Sequence, residues 1–145
     1  MMVQIIETNA PEMKFVDVTL STAELLDLFT TPKDLVVAQG ADTVVEFVSA
    51  LLAYDYNSTV YTIGTAGNLQ VKYTDGSGAA ASTTRACTGF IDQASDQLSL
   101  LEKVGGTVVP VANAALVLTL ATANPTLGDS PINIRVAYRV YQTGL

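Results

Sequence analysis

Apolar and polar residues alternate in short segments along most of the chain, and this period of two predicts β-strands. The clearest case is residues 132–141, where isoleucine and valine alternate with asparagine and arginine. Residues 43–54 hold a longer apolar run, which predicts a strand that is buried on both faces for part of its length. Strands are predicted in all for residues 15–20, 34–38, 43–54, 59–63, 69–73, 115–122 and 132–141.

A capping-box pattern marks the start of a short helix. Ser21 is followed three residues later by Glu24, and leucines and a phenylalanine come next. We expect the helix to end before Pro32, because proline disfavours helical geometry in the residue that precedes it.

Three segments have weaker signals. Residues 79–84 follow a glycine-rich turn and predict a loop. Residues 95–103 fit either a capped helix or a strand through Leu98 and Leu100. Residues 107–111 are β-branched but include a proline, which indicates an edge strand.

The elements together predict a mainly β fold. Eight or nine short strands separated by turns, with one or two short helices, are typical of a β-sandwich or a jelly-roll-like fold. We expect residues 15–145 to form a single domain of this kind. Residues 1–14 are interpreted either as an N-terminal arm or as an edge strand.

The composition argues against catalysis. The chain has no histidine, the usual proton shuttle near neutral pH and the commonest metal ligand, and its only cysteine is Cys87. It has no phosphate-binding loop and no spaced group of metal ligands. We therefore predict that the protein is not an enzyme, and that it has no cofactor, no metal site and no small-molecule substrate.

The charge content predicts an oligomer. The chain has 21 charged residues and a net charge of −7, where average composition would give about 36 charged residues at this length. The sparse charge indicates that part of the surface is buried between copies. The negative net charge disfavours nucleic-acid binding, and no apolar stretch is long enough to cross a membrane.

Three groups of residues are candidates for contacts with other chains. The tyrosines suit a recognition surface but equally suit the edge of a sandwich core, and the arginines are expected to pair with acids such as Glu46 or to contact an acidic partner. The candidates are Met2, Ile5, Ile6 and Met13 near the N-terminus, Tyr54, Tyr56 and Tyr61 around one turn, and Arg135 and Arg139 on the last strand.

Several segments resemble those of small virion structural proteins of tailed bacteriophages. They are residues 45–50 (VEFVSA), 68–78 (NLQVKYTDGSG) and 134–140 (IRVAYRV), and the resemblance extends over most of residues 15–141. In size the chain is most similar to the capsid decoration, or cement, proteins. The resemblance supplies no catalytic residues.

This resemblance implies a subunit that forms trimers on the outside of an icosahedral head and binds the major capsid protein. The protein would then be located in the virion, on the capsid exterior, after assembly in the host cytoplasm. Two other functions stay open. One is a phage tail or receptor-binding module that uses the tyrosine-rich turn, and the other is a small hydrolase.

Overall fold

The computed structural model describes residues 11–145, which contain ten strands and one short helix. The mainly β prediction is confirmed. The helix α1 is Thr22–Leu25, a single turn, and its capping box is formed as expected. The strands are β1 (Lys14–Leu20), β2 (Lys33–Val36), β3 (Thr43–Tyr54), β4 (Tyr61–Thr62), β5 (Asn68–Tyr73), β6 (Ala80–Ala86), β7 (Gln97–Glu102), β8 (Leu116–Leu120), β9 (Thr126–Leu127) and β10 (Ile132–Gln142).

Two four-stranded sheets face each other across one hydrophobic core, which confirms the β-sandwich. Sheet 1 has the strand order β1-β10-β3-β7, and sheet 2 has the order β2-β8-β5-β6. Neighbouring strands are antiparallel throughout, and β4 and β9 form a separate two-stranded ribbon. The core is filled from the inner faces of both sheets, from the ribbon and from the loop before β7, with Phe47, Tyr54, Tyr61, Tyr73 and Phe90 as its largest members.

A bulge explains why β3 was predicted to be buried on both faces. The register with β10 shifts at Val48, so that Phe47 and Ala50 both point into the core although they are three residues apart. The apolar residues of this run therefore point into the core from the same face of the strand, both before and after the bulge. On the other face Leu51 is exposed, which corrects the prediction.

Strand pairing shows the structure of the three segments whose sequence signals are weak. The loop predicted for residues 79–84 is wrong, because β6 lies there and pairs with β5. Its small residues Ala81 and Ser82 are buried, and the Ser82 hydroxyl accepts a hydrogen bond from the backbone of Val71. Residues 95–103 form the strand β7, and residues 107–111 form no strand.

The two sheets differ in how their outer faces are covered. All five residues of β8 in sheet 2 are buried. The loop after β5 lies over its outer face, where Gly76 comes so close to Thr119 that a Cβ on the glycine would be 3.2 Å from the threonine hydroxyl. Nothing in residues 11–145 covers the outer face of sheet 1 in this way, since several large apolar side chains there are exposed.

Candidate interaction surface

The outer face of sheet 1 is the candidate functional surface. Strand alternation and register place twelve outward residues in three rows, each running from β1 across β10 and β3 to β7. The rows are Phe15, Ala137, Ser49 and Glu102; Asp17, Arg135, Leu51 and Leu100; and Thr19, Asn133, Ala53 and Leu98.

Apolar side chains lie at both edges of this face. Leu98 and Leu100 on β7 are 73% and 57% exposed, and Phe15 on β1 is 66% exposed. Leu51 lies beside the leucines and Tyr141 at one end, so that five of the twelve exposed large apolar residues in the described chain are on this face. Such clustering marks interaction sites, whereas isolated exposed apolar residues are ordinary.

Paired polar groups occupy the middle of the face. Arg135 donates two hydrogen bonds to the Asp17 carboxylate, at 2.7 and 2.8 Å, and these lower the pKa of Asp17. Arg139 donates to Glu46 at 3.1 Å, which confirms the predicted cross-strand pair. Exposed ion pairs add little stability, so their main effect here is to neutralise two of the three acids on the face, with Glu102 as the third.

A shallow depression lies next to the paired groups. Its volume is about 420 Å³, and it is bounded by Leu51, Ala53, Asn133 and Arg135. Asp17 and Thr19 also line it, so the depression is lined by apolar and polar side chains and includes the paired carboxylate and guanidinium of Asp17 and Arg135.

The candidate residues near the N-terminus are only partly described. Met2, Ile5 and Ile6 lie outside the described residues, and so does most of the arm predicted for residues 1–14. Met13 is 36% exposed and directly precedes β1, which begins at Lys14 and pairs with Tyr138.

Tyr54 and Tyr61 are core residues, which corrects their assignment to a contact surface. Each is 1% exposed, and their rings pack against each other with centroids 6.4 Å apart. The structure thus supports the interpretation in which the tyrosines cap the core. Tyr56 is partly exposed, and its hydroxyl donates to the Ser58 carbonyl.

Removal of the hydroxyl group is expected to change the free energy of unfolding differently at the two buried tyrosines. The Tyr61 hydroxyl donates to the Ser130 carbonyl at 2.7 Å, whereas the Tyr54 hydroxyl is buried without a partner in residues 11–145. We expect Tyr61→Phe to lower the free energy of unfolding by roughly 1–3 kcal/mol, and Tyr54→Phe to leave it unchanged or raise it. Urea unfolding of both variants measures this, and equal losses would mean that the Tyr54 hydroxyl has a partner.

Asp129 holds the turn that follows Tyr56. Its carboxylate accepts hydrogen bonds from the Asn57 side chain, from the Ser58 hydroxyl and backbone, and from the Thr59 backbone. These bonds lower the pKa of Asp129 to about 2. The turn is therefore clamped to the loop before β10 wherever this carboxyl group is ionised.

This clamp predicts a pH dependence of the turn. Because the pKa is lower in the folded state than the ordinary 3.8, the stabilisation is complete above that value and is lost as the pH falls through about 2. We expect the amide resonances of Ser58 and Thr59 to shift with a midpoint near pH 2. Asp129→Asn is the control and should abolish the transition, and a midpoint near 4 would contradict the clamp.

The described residues contain one cysteine, Cys87. Cys87 is buried, and burial raises the pKa of its thiol to about 12, so the thiolate is not formed near neutral pH. Residues 11–145 contain no cluster of three or more potential metal ligands among His, Cys, Asp and Glu. They also contain no helix that is long and apolar enough to span a membrane.

A second cavity, of about 450 Å³, lies beside the part of β3 that β7 leaves unpaired. Phe47, Tyr73 and Val108 line it, and the Tyr73 hydroxyl already donates to the Val45 carbonyl. At its rim Glu46 accepts hydrogen bonds from Arg139 and Tyr141. The cavity therefore shares Glu46 and Tyr141 with the outer face of sheet 1.

No protein-family model, curated protein or solved structure matches this chain.

Proposed function

We propose that the protein is a virion structural protein, a capsid decoration or cement protein that binds the major capsid protein of an icosahedral phage head as a trimer. The observation that carries the proposal is the outer face of sheet 1, which exposes Phe15, Leu51, Leu98 and Leu100 together. A face of this kind is suited to contact with another protein.

The strand order supports the same function. Counted without the β4–β9 ribbon, the eight strands of the two sheets have the order 1-8-3-6 and 2-7-4-5, which is the order of a jelly roll. Jelly rolls occur in viral capsid proteins, but also in lectin domains and cupins. The fold therefore favours a capsid role only in combination with the exposed face.

A cement protein would act by adding interface free energy to the shell. Complete burial of a leucine or phenylalanine side chain contributes roughly 1.5–3 kcal/mol. The exposed side chains of sheet 1 offer several such contributions, and a trimer multiplies them by binding at three points.

A receptor-binding module is less well supported. That function was predicted to use the tyrosine-rich turn, and two of its three tyrosines are in the core. Tyr56 alone leaves little aromatic surface for recognition, because its own hydroxyl bonds back to the turn.

The proposal predicts that the β7 edge is required for decoration. Heads purified from the phage that encodes the chain, stripped of the protein, are mixed with the recombinant protein and imaged by electron cryomicroscopy. We expect regular density from the wild-type protein on the outer surface. The double substitution of Leu98→Ser and Leu100→Ser is expected to remove this density, because it replaces the two exposed leucines of β7.

Val37→Ser is the matched control, since Val37 is 63% exposed and follows β2 in sheet 2. It is expected to decorate heads like the wild-type protein. The capsid function would be excluded if the wild-type protein gave no density on these heads and was also missing from intact virions.

A further inference from the structure

Sheet 1 has a gap beside the first half of β3. β7 pairs with β3 only from Ser49 to Tyr54, so residues 43–48 have β10 as their one neighbouring strand within residues 11–145. The cavity of about 450 Å³ lies in this gap. We propose that residues 1–6 of the same chain occupy the gap as a further strand, with Val3 and Ile5 in the cavity.

The open edge of β3 presents backbone groups to the gap. The Thr43 carbonyl accepts a hydrogen bond there from the Asn113 backbone, and the Val45 carbonyl accepts one from the Tyr73 hydroxyl. In an antiparallel strand the N–H and C=O of one residue point to the same side, so the Val45 amide also faces the gap. Because a carbonyl oxygen has two lone pairs, Val45 can still pair with a strand.

The cavity suits the apolar side chains of such a strand. Phe47 and Tyr73 line it from the core, and Val108 lines it from the loop after β7. Lys103, Gln142 and Thr143 add polar side chains, which suit the backbone groups of an entering segment. The loop itself passes the cavity without forming a strand, so it leaves the edge of β3 to another segment.

The start of β1 is close enough for the same chain to reach the gap. Lys14 pairs with Tyr138 and Tyr138 with Phe47, so these three residues lie in one row across sheet 1. The position beside Val44 in the gap is three strand spacings across and three residues along from Lys14, a distance of about 18 Å. The eight residue steps from Lys14 back to residue 6 span up to about 28 Å. A second copy is therefore not needed to fill the gap.

The direction of the added strand matches the sheet. β1 is antiparallel to β10, and β10 is antiparallel to β3. A chain that leads back from Lys14 past the end of β10, crosses it and turns along the gap therefore runs antiparallel to β3. β7 is also antiparallel to β3 and ends beside Ser49, so residues 1–6 would continue its line.

The sequence of residues 1–6 fits the two faces of sheet 1. Val3 and Ile5 are apolar, and Gln4 between them is polar. With Val3 and Ile5 toward the cavity, Gln4 lies on the outer face beside Glu46. Ile5, a candidate for contact with other chains, is then part of the subunit itself.

Hydrogen exchange at one amide tests the pairing, because no strand within residues 11–145 pairs with the Val45 amide on this side. We expect this amide to exchange at least about tenfold faster in Ile5→Ser than in the wild-type protein, since the variant loses the side chain that fills the cavity. Gln4→Ser is the matched control and is expected to exchange like the wild-type protein. Equal rates in all three proteins would overturn the proposal.

A disulfide tests the position of the segment directly. The variant with Val3→Cys and Val108→Cys is expected to form an intramolecular disulfide on mild oxidation, and the buried Cys87 does not compete. The control combines Val3→Cys with Leu127→Cys. Leu127 is 67% exposed in the ribbon, which adjoins the other end of β3 through the contact between Tyr61 and Tyr54. No disulfide is expected there.

Other occupants of the gap give different results. An intermolecular disulfide between Val3→Cys and Val108→Cys would show that the segment comes from a second copy. Slow exchange of the Val45 amide only after heads are added would assign the gap to the capsid protein. Either result would overturn the proposal. The exchange and disulfide measurements on the protein alone do not depend on heads, so their failure would leave the capsid function untouched.

Discussion

Gly78→Ala is expected to lower the free energy of unfolding by roughly 3–5 kcal/mol, among the largest effects of any single substitution in this chain. A Cβ built on Gly78 would lie 1.6 Å from the Tyr73 carbonyl oxygen. That oxygen is a backbone atom, so no side-chain rotation can relieve the collision. The turn between β5 and β6 would have to open.

Opening this turn also disturbs sheet 2. The backbone amides of Asp75 and Gly78 donate hydrogen bonds within the turn, and Tyr73 pairs across it with Ala79. The same loop brings Gly76 against Thr119 and so covers the outer face of β8. The substitution is therefore expected to expose apolar surface as well as to break turn hydrogen bonds.

Gly105→Ala is the matched control, because a Cβ there meets no atom within 4 Å and its φ is not positive. We expect its free energy of unfolding to lie within about 0.5 kcal/mol of the wild-type value. Urea unfolding of both variants, followed by far-ultraviolet circular dichroism, makes the comparison. Equal midpoints for Gly78→Ala and the wild-type protein would show that the turn tolerates a side chain.

Much of the fold follows from local sequence patterns. The β3 and β10 strands were predicted within one residue of their observed bounds, because long apolar patterns between turn signals leave few alternatives. β6 was missed because its residues are alanine, serine, threonine and arginine, which have no apolar period. Only the pairing with β5 makes this segment a strand.

The candidate surface could not be predicted in the same way. In β7, Leu98 and Leu100 alternate with Gln97 and Ser99, so the pattern predicts that the leucines face the core. The register with β3 turns them outward instead, and Leu101 supplies the buried contact. A strand that points two leucines outward in this way indicates a surface with another use.

The pairing of arginines was more predictable than the position of tyrosines. Arg139 and Glu46 were expected to meet because neighbouring strands bring opposite charges together. Tyr54 and Tyr61 lie at strand ends, where a tyrosine is equally common in a core and on a surface. Tyr54 packs against Tyr61 and against Phe90, which comes from a loop whose position no local pattern gives.

The affinity of the protein for phage heads is expected to depend on all three subunits of the trimer. A trimer engages the shell at three points, so the second and third contacts form at a high effective concentration. Removal of the Phe15 side chain weakens the contact of every subunit at once. We therefore expect Phe15→Ser to bind stripped heads at least about tenfold more weakly than the wild-type protein, as measured by co-sedimentation over a range of protein concentrations.

A forced trimer separates the loss of association from the loss of a capsid contact. Leu145 is 98% exposed, so a trimeric coiled coil can be fused after it without entering the core. If Phe15 acts only between copies, the fused Phe15→Ser protein is expected to recover most of the wild-type affinity. Failure of the fusion to restore binding would place Phe15 against the capsid itself, and wild-type affinity of the unfused Phe15→Ser variant would show that Phe15 takes no part in head binding.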